Sequence, residues 1–256
     1  MYLRYTLSGH VFISPEDNLD RLVDALLTVG YGEEFCLALD FDPVFIAGLM
    51  AAGFLVMSIG QDRGNPEDKG EGSDFLLLPK LHLTRSVLFF PDLHIKKSLK
   101  PLLPRYELRV DTDFDFIVNR CIEIHGADWL TKPLVESIKI IRSTAPHFSL
   151  SWPYPFPPVR PVSFGVYRNG ALKAGEFGIL TGGVYTSYSG YYDEDSTGTV
   201  QLVLMTQYLR DRGCAFLDLG MPLDYKRTLG ATNIDPKRFV KMFREGRRNS
   251  PGAFPV

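Results

Sequence analysis

Cysteine is scarce in this chain. The 256 residues hold three, Cys36, Cys121 and Cys214, far apart and odd in number. That argues against a disulfide framework and for a reducing compartment. No CxxC or HxxxH pair is present, so no metal site is expected. No apolar run reaches the ~18 residues of a membrane span. The opening "MYLRYTLSGHVF" lacks a basic segment followed by an apolar one, so it does not read as a signal peptide, and a cytoplasmic location is expected. Also missing are a G-x-G-x-x-G after a first strand, a P-loop and a G-x-S-x-G elbow. Their absence argues against dinucleotide binding, P-loop phosphate chemistry and a serine-hydrolase site.

What is present is ordinary globular composition, 45% hydrophobic and 23% charged. The formal charge of −2 hides an asymmetry. Residues 1–80 carry five basic and thirteen acidic side chains, a net −8; the remainder carries 23 basic and 17 acidic, a net +6. Between Lys226 and Arg248 eight basic residues face only Asp235 and Glu245. A second cluster, Lys96, Lys97, Lys100, Arg105 and Arg109, faces only Glu107. Such patches suit a phosphate backbone, or form a solvated face and a frayed tail.

Ser14-Pro15 reads as a helix start, with Leu19, Leu22, Val23, Leu26 and Leu27 as its apolar stripe and Gly30 as its end. "FCLAL" reads as a short strand, Asp42-Pro43 opens another helix, and "FLVMSI" is a second strand. Residues 60–74, "GQDRGNPEDKGEGSD", read as a flexible loop, a domain boundary or a lid. "FLLLPKL", "RSVLFF" and "YELRVD" read as strands and "LHIKKSLKPLL" as a short helix. Helices follow from Asp113 and Pro133. "WPYPFPPVRP" (152–161) is proline-rich and reads as a stiff surface loop outside any central sheet. Then come a hairpin around Asn169-Gly170, the tyrosine-rich strand "VYTSYSGYY", a helix over 198–212 and a buried strand "AFLDLG". This order predicts an α+β fold: a small N-terminal α/β domain over 1–74, then a mixed-sheet, acetyltransferase-like domain over 75–256.

Three stretches carry a family resemblance: "SVLFFPDLHIKKSLKPLL", "ADWLTKPLVES" and "FLDLGMPLDYKRTLGATNI". Their matching cores are Leu93-His94-Ile95-Lys96-Lys97-Ser98-Leu99, Asp128-Trp129-Leu130-Thr131, Leu217-Asp218 and Leu229-Gly230-Ala231. In this order the chain resembles the leucyl/phenylalanyl-tRNA–protein transferase family over roughly residues 35–240. The resemblance implies a GNAT-like second domain. It also implies transfer of an amino acid from aminoacyl-tRNA to a protein's N-terminal amine, the product being marked for degradation. No metal or small-molecule cofactor is implied, because the ester of aminoacyl-tRNA is already activated. The expected partners are aminoacyl-tRNA and a protein or peptide N-terminus, with no membrane and a monomeric chain.

Set against the family's pattern, Trp129 and Asp218 carry over. The family's Gly-Glu-Ser falls on Ser187-Tyr188-Ser189, so Tyr188 stands where the acid is expected. Its Asp-Cys-Gln falls on Asp218-Leu219-Gly220, and the Trp of its N-terminal Phe-Pro-Trp falls near Met57. Asp218 and Tyr188 are therefore expected near the reaction centre, and Glu176 on the neighbouring strand is the other carboxylate that could replace the missing acid. Trp129, Tyr185, Met57 and Gly220 are expected to bind substrate, and Lys96, Lys97, Lys100 and Lys132 to contact tRNA. For each, ordinary packing or solvated charge is the competing reading. Two other functions stay open: a GNAT acyltransferase using acyl-CoA, for which no pyrophosphate-cradling loop is seen, and a non-catalytic binding relative.

Overall fold

A computed structural model describes residues 2–60, 75–144 and 157–254. Of the loop over 60–74, expected as a domain boundary or lid, residues 61–74 lie outside the described residues, as do the prolines of 152–156.

The first helix, α1 (Leu19–Val29), begins later than Ser14-Pro15 suggests. Ser14 and Asp17 instead close a turn, and the Asn18 side chain caps the helix by accepting from the Arg21 N–H. Gly30 ends it in the left-handed region (φ 66°), as expected. Helix α2 (Pro43–Ala51) is capped by Asp42 and is buried nearly all round. "FCLAL" forms isolated bridges to Phe12, Leu77 and Lys80 rather than a strand. Strands β1 (Leu55–Gly60) and β2 (Phe75–Lys80) pair antiparallel along six residues. A division at residue 74 therefore falls between the two strands of one ribbon, and one continuous apolar core runs from Val11 through Val56 and Phe177 to Phe243.

The larger sheet has seven strands. They are β3 (Arg85–Leu88), β4 (Glu107–Val110), β5 (Val159–Arg168), β6 (Ala171–Thr181), β7 (Val184–Tyr192), β8 (Phe216–Asp218) and β9 (Thr232–Ile234), in the order β4-β5-β6-β7-β8-β3-β9. All neighbours are antiparallel except β7 and β8. Asn169 and Gly170 both take positive φ, the geometry a tight hairpin turn needs. Helices α3 (Phe114–His125), α4 (Lys132–Thr144) and α5 (Thr197–Asp211) pack on this sheet. α5 arises from a 15-residue amphipathic run whose Val200, Val203 and Leu209 are buried.

Three expectations need correction. Pro161 lies inside β5, not in a surface loop. β4 pairs only with residues 164–167 of β5, so Pro161 sits where the strand has no ladder on that side and its missing N–H costs nothing. "LHIKKSLKPLL" is not a continuous helix: turns over 97–102 lead to a single 3₁₀ turn, Leu103–Arg105, because Pro101 and Pro104 interrupt it. The basic C-terminal stretch is not frayed. It forms α6 (Asp224–Thr228) and α7 (Pro236–Gly246), the latter burying Phe239, Val240 and Phe243. Arg244 pairs with Asp24 at 2.6 Å and Arg247 with Asp20 at 2.6 Å. Part of the charge asymmetry is thus internal pairing between the two ends of the chain. Among the described residues no helix is long and apolar enough to cross a membrane.

Candidate active site

β8 is three residues long and covers only Val184–Thr186 of β7. The C-terminal half of β7 therefore runs on without a neighbour on that side. The chain leaving β8 turns sharply at Gly220, whose φ of 69° favours glycine. Between the free half of β7 and the 219–229 segment lies a cleft of about 820 Å³. Its position matches a physical rule: parallel strands whose chains diverge leave a crevice beyond their carboxyl ends.

Asp218 at the end of β8 is fully buried. Its carboxylate takes a two-pronged ion pair from Arg85, Nε to Oδ1 at 2.8 Å and a terminal nitrogen to Oδ2 at 2.6 Å. The Thr186 hydroxyl donates to Oδ2 at 2.9 Å and the Gly220 N–H to Oδ1 at 3.0 Å. Arg85 is itself buried, its guanidinium 4.4 Å from the Phe239 ring centroid. This satisfies the carboxylate as burial requires. Asp218 does not line the cleft; it lies behind it and fixes the backbone of Gly220, which does.

β7 carries a bulge. Ser187 lies opposite Gly178 and Ser189 opposite Phe177, so Tyr188 has no partner across the ladder. A bulge inserts one residue and reverses the alternation beyond it. Ser187 and Ser189, which simple alternation puts on one face, consequently take opposite faces. Tyr188 leans on Phe177, with ring centroids 6.0 Å apart. Its hydroxyl accepts from the Val56 N–H of β1 at 2.9 Å. Burial pushes this phenol well above its usual pKa, so it stays neutral. Tyr188 lines the cleft and ties its wall to β1, but it does not reproduce a carboxylate. Tyr185 takes the other face, fully buried edge-on against Phe164 at 5.2 Å, and does not line the cleft.

Glu176 does line it. It lies on β6 opposite Gly190 and is 5% exposed. Among the described residues its Oε1 has no hydrogen-bond partner. Burial raises its carboxyl from 4.5 to about 7, against the opposing pull of Ser187, Gln201 and the Lys226 charge. A proton donor-acceptor poised near neutrality thus faces the cleft. Met57, Trp129 and Gly220 line the same cleft. The Trp129 carbonyl accepts from the Ser58 N–H at 3.0 Å, which docks that loop on β1.

Two lining residues carry no sequence signal that points to the cleft. Lys226 is buried rather than part of a basic surface. Its ammonium donates to the carbonyls of Leu219 at 2.6 Å and Met221 at 3.0 Å, which holds the turn after β8. Burial lowers its pKa despite Glu176 and Asp218 nearby. His82, in the link from β2 to β3, is also buried at the cleft wall. A histidine between two leucines in "LHL" carries no spacing pattern that sets it apart.

Lys96, Lys97 and Lys100 are all exposed on the turn after β3. That turn abuts the cleft rim, since the His94 N–H donates to the Leu229 carbonyl at 2.9 Å and Leu229 lines the cleft. Lys132 is exposed at the start of α4, 3.9 Å from Glu136.

A satisfied carboxylate behind a bulged strand, a titrating carboxyl inside the cleft and a basic turn at its rim define a candidate group-transfer site. The leucyl/phenylalanyl-tRNA protein transferase family model matches residues 87–244, and the chain belongs to that family. The leucyl/phenylalanyl-tRNA–protein transferase of Pseudomonas fluorescens (strain Pf0-1) is 27% identical over 162 residues, covering 61% of this chain and 65% of that protein. Those of Campylobacter lari and Rubrobacter xylanophilus are 24% and 26% identical, covering 62% and 64% of this chain and 67% and 80% of their own. The match thus spans about two thirds of most of these relatives. Among solved structures, the C-terminal domain of a putative lysylphosphatidylglycerol synthetase from Agrobacterium fabrum aligns with a TM-score of 0.36 at 12% identity, over 96% of this chain and 75% of that one. The L-PGS structure from Bacillus licheniformis gives 0.36 at 11%, over 86% and 68%. At these scores the likeness decides neither fold nor function.

Proposed function

We propose that this chain is an aminoacyl transferase, moving an amino acid from aminoacyl-tRNA to the N-terminal amine of a protein in the cytoplasm. Family membership supports the reaction class. The observation that carries the site is Glu176, a buried carboxyl with an unpartnered oxygen in the cleft and a pKa near 7. In this reading the acceptor amine gives a proton to the Glu176 carboxylate and attacks the ester carbonyl carbon. The carbon–oxygen bond to the ribose then breaks, and the leaving oxygen takes the proton back. The oxygen at the carbonyl needs hydrogen-bond donors in the intermediate, and the free half of β7 leaves backbone groups on the open side of the ladder.

Asp218 acts here as a positioning residue through Gly220, and Tyr188, Trp129 and Met57 shape the wall. Lys96, Lys97 and Lys100 attract the tRNA backbone from the rim, and Lys132 is a more distant candidate contact. The parallel β7–β8 pair that ends at the cleft favours a GNAT-like reading of the large sheet.

The test is incubation with tRNAs carrying labelled amino acids, leucine and phenylalanine first, and peptides of each N-terminal class. Label in peptide supports the proposal. Binding of tRNA without transfer supports the non-catalytic reading, and turnover of acetyl-CoA instead supports an acyl-CoA enzyme.

A further inference from the structure

Among the polar groups of the cleft wall, His82 is a buried one that the proposed chemistry does not use. His82 is 3% exposed and lines the cleft, yet among the described residues neither ring nitrogen has a hydrogen-bond partner. Leaving a buried imidazole unpaired costs stability. Its surroundings also keep it neutral: burial foremost, then the charges of Arg85, Lys80 and Lys226, push its pKa down to about 2. A neutral imidazole offers one donor and one acceptor.

Its place is fixed by what lies beside it. A Cβ added at Gly220 would sit 3.8 Å from His82 Nε2 and 3.4 Å from a Leu55 methyl. Gly220 itself is clamped: its N–H donates to Asp218 and its carbonyl accepts from the Ser86 N–H at 2.8 Å. A side chain at 220 would therefore enter the space that the imidazole borders. Position 220 is also where the resemblance sets a glutamine, whose amide likewise offers donor and acceptor. The polar function absent at 220 is present in the same corner of the cleft, on a different element.

The reacting end of an aminoacyl-tRNA presents three kinds of group: an α-ammonium, an ester carbonyl and the ribose hydroxyl beside the ester. The positive charges around His82 repel the ammonium. The carbonyl uses only a donor. A hydroxyl both donates and accepts, which matches a neutral imidazole in either tautomer. We propose that His82 hydrogen-bonds the free ribose hydroxyl next to the ester and so positions the donor substrate in the cleft. This rests on the aminoacyl-transfer reading above.

The experiment compares wild type, His82→Leu and His82→Gln on charged tRNAs ending in adenosine or in 2′-deoxyadenosine. Wild type is expected to lose roughly tenfold in kcat/KM on the deoxy end, the size of one hydrogen bond in a dry site. His82→Leu should lose roughly the same on the ribose end and not distinguish the two ends, because the two deletions remove one interaction. His82→Gln should keep most of the rate and the discrimination. His82→Leu should melt no lower than wild type, since it removes an unpaired buried polar group; a merely structural histidine would give a lower melting temperature. Equal turnover of both ends by wild type overturns the inference without any variant. So does undiminished discrimination in His82→Leu, and both leave aminoacyl transfer standing. No transfer by wild type with any charged tRNA overturns the functional reading and this inference with it.

Discussion

Replacing Glu176 with glutamine should lower activity and raise stability at alkaline pH. The carboxyl titrates near 7 in the folded chain against 4.5 for an ordinary glutamate, and burial is the cause. A raised carboxyl pKa means that the folded state holds its proton more tightly. Its stabilising effect is fully present below pH 4.5 and is lost as pH rises through 7. At about 1.36 kcal/mol per tenfold change, the raised pKa costs the fold, relative to the unfolded chain, about 3 kcal/mol at pH 8.5 but only about 1 kcal/mol at pH 5.5. Wild type should therefore lose about 2 kcal/mol between these pH values that Glu176→Gln does not lose. Urea unfolding of both proteins at the two pH values reads this difference directly. In parallel, kcat/KM of the wild type should climb with pH to a plateau above about 7, while the variant falls on the order of a hundredfold or more. Parallel stability curves for the two proteins would show that the carboxyl is not held out of water. Full activity in the variant would remove it from the reaction.

Three more outcomes separate structure from chemistry. Asp218→Asn should cost about 3 kcal/mol or more, because it leaves the buried Arg85 without its ion pair, as urea unfolding will show; lost activity at unchanged stability would instead make Asp218 a direct participant. Tyr188→Phe should cost about 1 kcal/mol by orphaning the Val56 N–H, with the pH–rate profile unmoved because the phenol is neutral throughout; an altered profile would contradict that. Changing Lys96, Lys97 and Lys100 together to alanine should reduce the slope of log affinity for tRNA against log salt by about 2, and an unchanged slope would place the tRNA elsewhere.

The elements that sequence made legible are those with local causes. The Asn169-Gly170 turn and the Asp42-Pro43 helix start are settled by side chains within a few positions. The Ser14 start was misread because Asn18, four residues on, offers an equally good cap and Ser14 instead closes a turn with Asp17. Pro161 was misread because a proline in a strand is excluded only where a neighbour needs its N–H, and the extent of β4 is not local information. The C-terminal basic run read as solvent-facing because its acidic partners, Asp20 and Asp24, are more than 200 residues away in sequence.

The cleft shows the same limit at greater depth. Motif matching located Trp129, Gly220 and the strand of Tyr188, all of which line it. It also marked Asp218 as central, and the structure gives that aspartate a definite task behind the wall. What pattern could not supply was the bulge at Tyr188, which decides that Ser187 rather than Ser189 shares a face with Glu176. Nor could it bring residue 82 beside residue 220. Both departures from the family's pattern, the tyrosine at 188 and the glycine at 220, read in sequence as losses. In space each lies in a cleft that holds a polar group on a neighbouring element: a carboxyl at 176 and an imidazole at 82. A site judged position by position looks stripped, whereas a site judged by which atoms face the cleft retains an acid and a neutral donor-acceptor. Chemistry selects atoms in space, so a function can persist while the residues that carry it move to adjoining strands.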